Sequence, residues 1–238
     1  AKKQIEQQKL ASFQTLKNRL QTFKSVVTTL NTESRFIVNK SVFSNNSSSD
    51  NNKVVDITTT SSATSGTYSL VVNNLATETK IISEGFEATN STLDYGFVKV
   101  TVGTASATVT IDSTNDSLDG LRLAINNLGL DVKASFLNDG NDTNPVRLLI
   151  SGNLTGATGA VTMSYSNNAF YTLDGISFTT TQESQNASFS VDGVSISKSS
   201  NTVSDVISGA ALKLQSAGSG TISLSTDTNA ITTKVSDF

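Results

Sequence analysis

Cysteine, histidine and tryptophan do not occur in this 238-residue chain, and proline and methionine occur once each. Without cysteine there is no disulfide frame and no thiol nucleophile. Without cysteine or histidine there is no ordinary zinc or copper site, and no Ser-His or Cys-His pair for nucleophilic catalysis. No cofactor is expected. Long apolar runs are missing too: stretches such as Val146–Ile150 reach about five residues with Arg147 among them, against the ~20 that a membrane helix needs. Basic runs longer than a pair are absent, and a net charge of −3 gives little electrostatic footing for nucleic acid. Neither a membrane nor nucleic acid is an expected partner.

What is present is Ser, Thr, Asn and Gly with alternating Val and Ile, a composition common in secreted β-proteins and surface appendages. The length suits two or three compact units.

Residues 1–30 differ from everything after them. Phe13, Leu16, Leu20, Phe23, Val27 and Leu30 recur at spacings of three and four, an a/d seam on a charged, Gln-rich background, with Ile5 and Leu10 as less regular extensions. At 1.5 Å per residue this predicts a helix of ~45 Å. No other segment has a helical pattern long enough to cover such a seam. Its partner is expected either beyond Phe238 or in a neighbouring subunit. Ile231, Val235 and Phe238 repeat the four-and-three spacing and are expected to begin that partner helix.

From Asn45 to Asn52 the chain reads as a loop, and the body after it reads as strands. Lys53–Thr58 and Gly66–Val72 are expected strands, the second with Tyr68 and Leu70 on one face and Val71 nearby. A brief helical turn is expected through Leu75, Ala76 and Lys80. Phe97–Val102 and Ala107–Ile111 predict a hairpin, Leu118, Leu121, Ala124 and Ile125 a helix, and Asp131–Phe136 a returning strand. A second unit of the same plan is expected at Ala187–Asp227. Ala187–Val191 and Val194–Ile196 flank an Asp192-Gly193 turn. Val203, Val206, Ile207, Ala210, Ala211 and Leu214 predict a helix capped by Asn201 or Thr202, and Thr221–Ser225 is a strand. The expected helices align position for position, Leu118, Leu121, Ala124 and Ile125 against Val203, Val206, Gly209 and Ala210, and the two units read as sister modules.

The acidic and amide residues of Asn138–Asn144 do not follow an EF-hand loop, so a hairpin loop is expected there. A glycan-cleaving enzyme with paired carboxylates needs neither His nor Cys. However, Asp139, Asp142 and Asp192 fall in turns, where carboxylates are solvated, and an enzyme is not expected.

Four segments resemble the bacterial flagellar filament cap family, also called hook-associated protein 2. Leu10–Leu20 is similar to its early leg helix. Gly66–Ala76 is similar to its G-x-Y-x-[IV]-x-V-x-x-L-A segment, with Leu70 at the branched position. Asp116–Ser151 is similar to the repeat shared by flagellins and hook-associated proteins. The fourth is the signature carried by Phe189, Val191, Asp192, Gly193, Asn201, Asp205, Gly209, Leu212 and Leu214.

The resemblance implies a multidomain α+β protein with a leg of paired helices and two β-rich head domains, each with a hairpin-helix-strand module and the outer inserted into the inner. The implied division is a partial leg at 1–50, an inner head at 51–84 and 179–228, an outer head of flagellin/hook type at 85–178, and a return to the leg from 229 to 238. It implies a ring-like homo-oligomer at the extracellular flagellum tip, exported without a cleaved signal peptide. There it would help flagellin fold and insert, with flagellin and hook-filament junction proteins as partners. The family's terminal segments are expected to lie outside this chain. A flagellin, a junction protein and a tip-exposed adhesin are the alternative readings.

Overall fold

The computed structural model describes residues 2–32, 36–46, 53–167 and 176–236. It opens with α1 (Lys2–Leu30), and thereafter it is mostly β. In chain order come β1 (Asn39–Asn45), β2 (Val55–Thr59), β3 (Gly66–Asn74), β4 (Lys80–Ser83), β5 (Gly96–Val102), β6 (Ala105–Ile111), α2 (Leu118–Asn126), β7 (Val132–Asn138) and β8 (Val146–Gly152). There follow β9 (Val161–Asn167), β10 (Phe178–Gln182), β11 (Ala187–Val191), β12 (Val194–Lys198), β13 (Thr202–Ile207), β14 (Ala210–Leu214), β15 (Gly218–Thr226) and α3 (Thr228–Ser236). A multidomain α+β fold with a long N-terminal helix was expected and is present.

Two compact units divide the chain. The first comprises Ala1–Leu70, Thr202–Lys213 and Ser219–Phe238, the second Val71–Asn201 and Leu214–Gly218.

In the first unit β1 pairs antiparallel with β15 from Asn39↔Thr226 to Asn45↔Gly220. Alternating Ser, Val and Phe in β1, and Thr, Ile, Ser and Leu in β15, turn Ile222 and Leu224 inward, each 3% exposed or less. Side chains tie β1 to β2: Ser41 Oγ donates to the Ile57 carbonyl and Thr59 Oγ1 to that of Asn39.

The second unit is built around one apolar core. The antiparallel sheet β10-β4-β8-β7 and the sheet β6-β5-β9 each contribute a buried face. Between them they bury Val98, Val100, Val109, Ile111, Leu148 and Ile150, and α2 adds Leu118, Leu121 and Ile125. The helix begins where expected because Ser117 accepts from the Gly120 amide as N-cap. At its other end Asn126 grips β7, donating to the Ala134 carbonyl and accepting from its amide. The strands β7 and β8 close on residues 139–145 as a hairpin, with Asn138↔Val146 the last pair, as turn chemistry predicted. Asn138, Asp139 and Asn141 accept from amides two residues on, the side-chain turns that make such a loop.

One expected element is wrong. Residues 201–214 are not a helix: they form the antiparallel hairpin β13–β14. Thr202, Val203, Val206 and Ile207 are β-branched, which restricts χ1 on a helix and suits a strand. Gly209 turns the chain at φ +72°, and a Cβ there would lie 2.4 Å from the Ala63 amide nitrogen. The misleading helical spacing comes from a bulge. Val203 pairs with Leu212 and Ile207 with Ala210, so β13 carries two extra residues between those pairs. The hairpin-helix-strand plan therefore holds for residues 97–136 and fails for 187–225.

One smaller reading is corrected as well. Residues 75–79 form no helical turn, because Thr77 bridges to Gln185 instead. In β3 Tyr68 and Leu70 share a face as expected, joined there by Val72, with Val71 on the exposed side. The expected loop at 45–52 lies largely outside the described residues, and Phe238 lies outside them.

Candidate assembly surface

Two groups of sequence-predicted residues are separated by the fold, and they have opposite characters. The signature residues are architectural. Phe189, Leu212 and Leu214 are buried at 3% exposure or less, and Val191 is nearly so. Asp192 and Gly193, at φ +49° and +80°, form the two-residue turn between β11 and β12. Asn201 does not cap a helix. Its Oδ1 accepts from the Ala76 amide at 2.7 Å and its Nδ2 donates to the Ala76 carbonyl at 2.9 Å, closing both backbone groups where the chain leaves β3. Asp205 lies on the exposed side of β13.

The seam residues lie on α1 and are exposed. Phe13 is 69% exposed, Leu20 58% and Leu16 53%; Phe23 and Val27 extend the stripe, with Ile5 and Leu10 before it. The side chain of Leu30 falls outside the described residues. A polar face accompanies the stripe. Lys9 pairs with Glu6, and the hydroxyls of Thr15, Thr22, Thr28 and Thr29 donate to carbonyls one turn back. The helix itself carries six basic residues and one acidic residue in a chain whose net charge is −3, so it is basic on an acidic protein. Covering Phe13, Leu16 and Leu20 alone would recover on the order of 3–5 kcal/mol of apolar burial.

The chain returns to the root of this helix. The Asp227 amide donates to the Val38 carbonyl at 2.7 Å, and Asp227 Oδ1 accepts from Ala230 to start α3. The helix was foreseen from the spacing of Ile231 and Val235. Val235 is 52% exposed, so α3 also presents apolar surface.

The fully buried polar side chains among the described residues are Thr79 and Ser83, and both serve the backbone: Thr79 Oγ1 accepts from Val161 and Ser83 Oγ from Leu148. The most engaged carboxylate, Asp139, meets Arg147, whose hydrogen bond holds it below the usual carboxylate range. No group of three or more potential metal ligands occurs among the described residues. None of the described helices is long and apolar enough to cross a membrane.

The described residues thus combine a long helix bearing an exposed apolar stripe with a β-rich body. Comparisons with known proteins show what the chain is similar to. The family model described as the flagellar hook-associated protein 2 N-terminus matches residues 1–79, and that of its C-terminus matches 184–238. The chain is 30% identical over 152 residues to the B-type flagellar hook-associated protein 2 of Pseudomonas aeruginosa, covering 62% of this chain and 30% of that protein. It is 30% identical over 165 residues to flagellar hook-associated protein 2 of Escherichia coli K12, covering 67% and 33%. Among solved structures it matches the D1-D2-D3 domains of the E. coli flagellar cap protein FliD with a TM-score of 0.72 at 28% identity, covering 94% of this chain and 68% of that one. It matches the cap protein of Bdellovibrio bacteriovorus with a TM-score of 0.56 at 30% identity, covering 71% and 95%. This chain belongs to the flagellar hook-associated protein 2 family. It spans about a third of the length of the curated relatives it matches.

Proposed function

We propose that this protein is a structural part of a flagellar filament cap, not an enzyme, and that α1 is the leg through which copies assemble. The observation that carries the reading is the exposed stripe of Phe13, Leu16 and Leu20 on a helix with no described element of like length to cover it. Phe23, Val27 and Leu30 continue the seam. The return of the chain to the root of α1 at Val38 and Asp227 supports a leg of paired helices, in which α3 starts the second.

The three-part division at 1–50, 51–84 with 179–228, and 85–178 is part of the proposal. The core cluster of the second unit is drawn from 81–178. The two family models stop at 79 and resume at 184, and just inside those limits β4 and β10 pair antiparallel. Both observations support an outer head inserted into an inner one.

The protein acts at the distal end of the filament, outside the cell, as a ring-like homo-oligomer seated on flagellin and reached through the hook-filament junction proteins. It reaches that site by export without a cleaved signal peptide, and it promotes folding and insertion of exported flagellin. Strains lacking the protein should release flagellin into the medium without extending filaments, and the intact gene should restore them. Filaments of normal length in the deletion strain would overturn the reading.

A further inference from the structure

We propose that the loop of residues 153–159 is a latch that sets the angle of the outer head on the inner head. This rests on the insertion just proposed, with the outer head taken from β4 to β10, because those two strands share its sheet with β7 and β8. Two segments then connect the heads, 75–79 and 183–186, and they run side by side. The Thr77 amide donates to the Gln185 carbonyl at 3.0 Å, and the Gln185 amide returns a longer bond of 3.4 Å. Two adjacent tethers fix a line and leave rotation about it, so a fixed angle needs a third attachment away from that line.

The loop supplies it. On the outer side it is rooted where the Asn153 amide donates to the Asp131 carbonyl at 2.9 Å. It then reaches past the tethers to the inner head, where Thr155 Oγ1 donates to the Ser199 carbonyl at 2.6 Å. The Ala157 amide donates to Asn186 Oδ1 at 2.9 Å, at the end of one tether. Between them the Gly156 amide donates to the Thr77 carbonyl, gripping one tether itself.

The approach is as close as backbone allows. Gly156 sits at φ +85°, and a Cβ there would be 2.5 Å from Ser199 Cβ and 2.6 Å from its Cα. No side chain fits without moving backbone. The receiving side is held in advance: the Asn186 carbonyl accepts from Asn74 Nδ2 at 2.8 Å, and Asn186 Nδ2 donates to Ser197 Oγ at 3.1 Å. The Asn186 side chain is thereby presented to the latch.

The cysteine-free chain makes the test direct. Thr108→Cys on β6 and Ser195→Cys on β12, both exposed positions, take spin labels on the outer and inner head respectively. The dipolar distance distribution should be a single narrow peak in the otherwise unaltered chain. Gly156→Val should broaden it at least twofold. Thr155→Ala with Asn186→Ala, which adds no bulk, should broaden it to a lesser degree. In both variants the amide protection of β5 should persist, because the outer core is untouched. Distributions as narrow as the parent's in both variants would overturn the latch. Loss of β5 protection along with the broadening would instead overturn the domain division.

Discussion

Residues 117–127 and 201–214 have the same apolar spacing and fold differently. In α2, Leu118, Leu121 and Ile125 are buried on one helical face behind a serine cap. In β13–β14, Val203, Ile207, Ala210 and Leu212 are just as buried, on a hairpin. Spacing of three and four thus fixes neither the backbone nor, by itself, the buried set: Leu212, off the expected helical face, is fully buried, and Val206, on it, is only partly so. The backbone is decided by what lies between. Arg122, Leu123 and Ala124 lose little rotamer freedom in a helix and Asp119 suits its first turn, whereas the β-branched residues of β13 and a left-handed Gly209 do not propagate one.

The sharpest way to break this contrast is Gly209→Val. The change forces a β-branched residue to φ +72° against the Ala63 backbone, and should destabilise the first unit by roughly 2–6 kcal/mol. Calorimetry of the variant checks it, and a loss below ~1 kcal/mol would mean the turn is not what excludes the helix. Next come Leu121→Ala and Leu212→Ala, each fully buried in the parent, one on the helix and one on the hairpin. Each should lose about 2–5 kcal/mol in denaturant unfolding, since burial and not element type sets the penalty.

The two polar anchors should separate more clearly. Ser117→Ala removes an ordinary helix cap and should cost about 1 kcal/mol. Asn201→Ala strands the amide and carbonyl of Ala76 and should cost about twice that, with faster exchange of the Ala76 amide. Equal losses would mean that closing the Ala76 amide and carbonyl is worth no more than an ordinary cap.

The smallest effect lies in the 139–145 loop. The hydrogen bond from Arg147 lowers the folded-state value for Asp139, so its stabilisation is present above the unfolded carboxylate value near 3.9 and fades as pH falls through the lower folded value. The Asp139 carboxyl carbon should titrate at lower pH in the parent than in Arg147→Ala, by NMR. Coincident midpoints would remove the pair from the account.

Much of the fold is legible in the residues because period-two alternation is unambiguous where neighbouring positions differ strongly in polarity. Phe97–Val102, Val146–Ile150 and Ala187–Val191 were placed within a residue or two. The long helix was legible for the same reason at a period of 3.5. Illegible were features set by distant partners. The bulge in β13 depends on Ala210 and Leu212, the clasp at Ala76 on a residue 125 positions away, and the Gly156 contact on Ser199. No local pattern announces a close backbone approach. The candidate surface was visible as a spacing, and its exposure became visible only with the rest of the chain in place.

That exposure bears the functional weight. Leu20→Asp, on a side chain already 58% exposed, should change the unfolding free energy of the chain by less than about 0.5 kcal/mol, as an ordinary surface substitution does. Light scattering on the protein as the cell makes it should then give a single mass at an integer multiple of the subunit, with Leu20→Asp reducing it to smaller species while the head units keep their melting transitions. An unchanged mass for Leu20→Asp would contradict the assignment of the α1 stripe as the assembly surface.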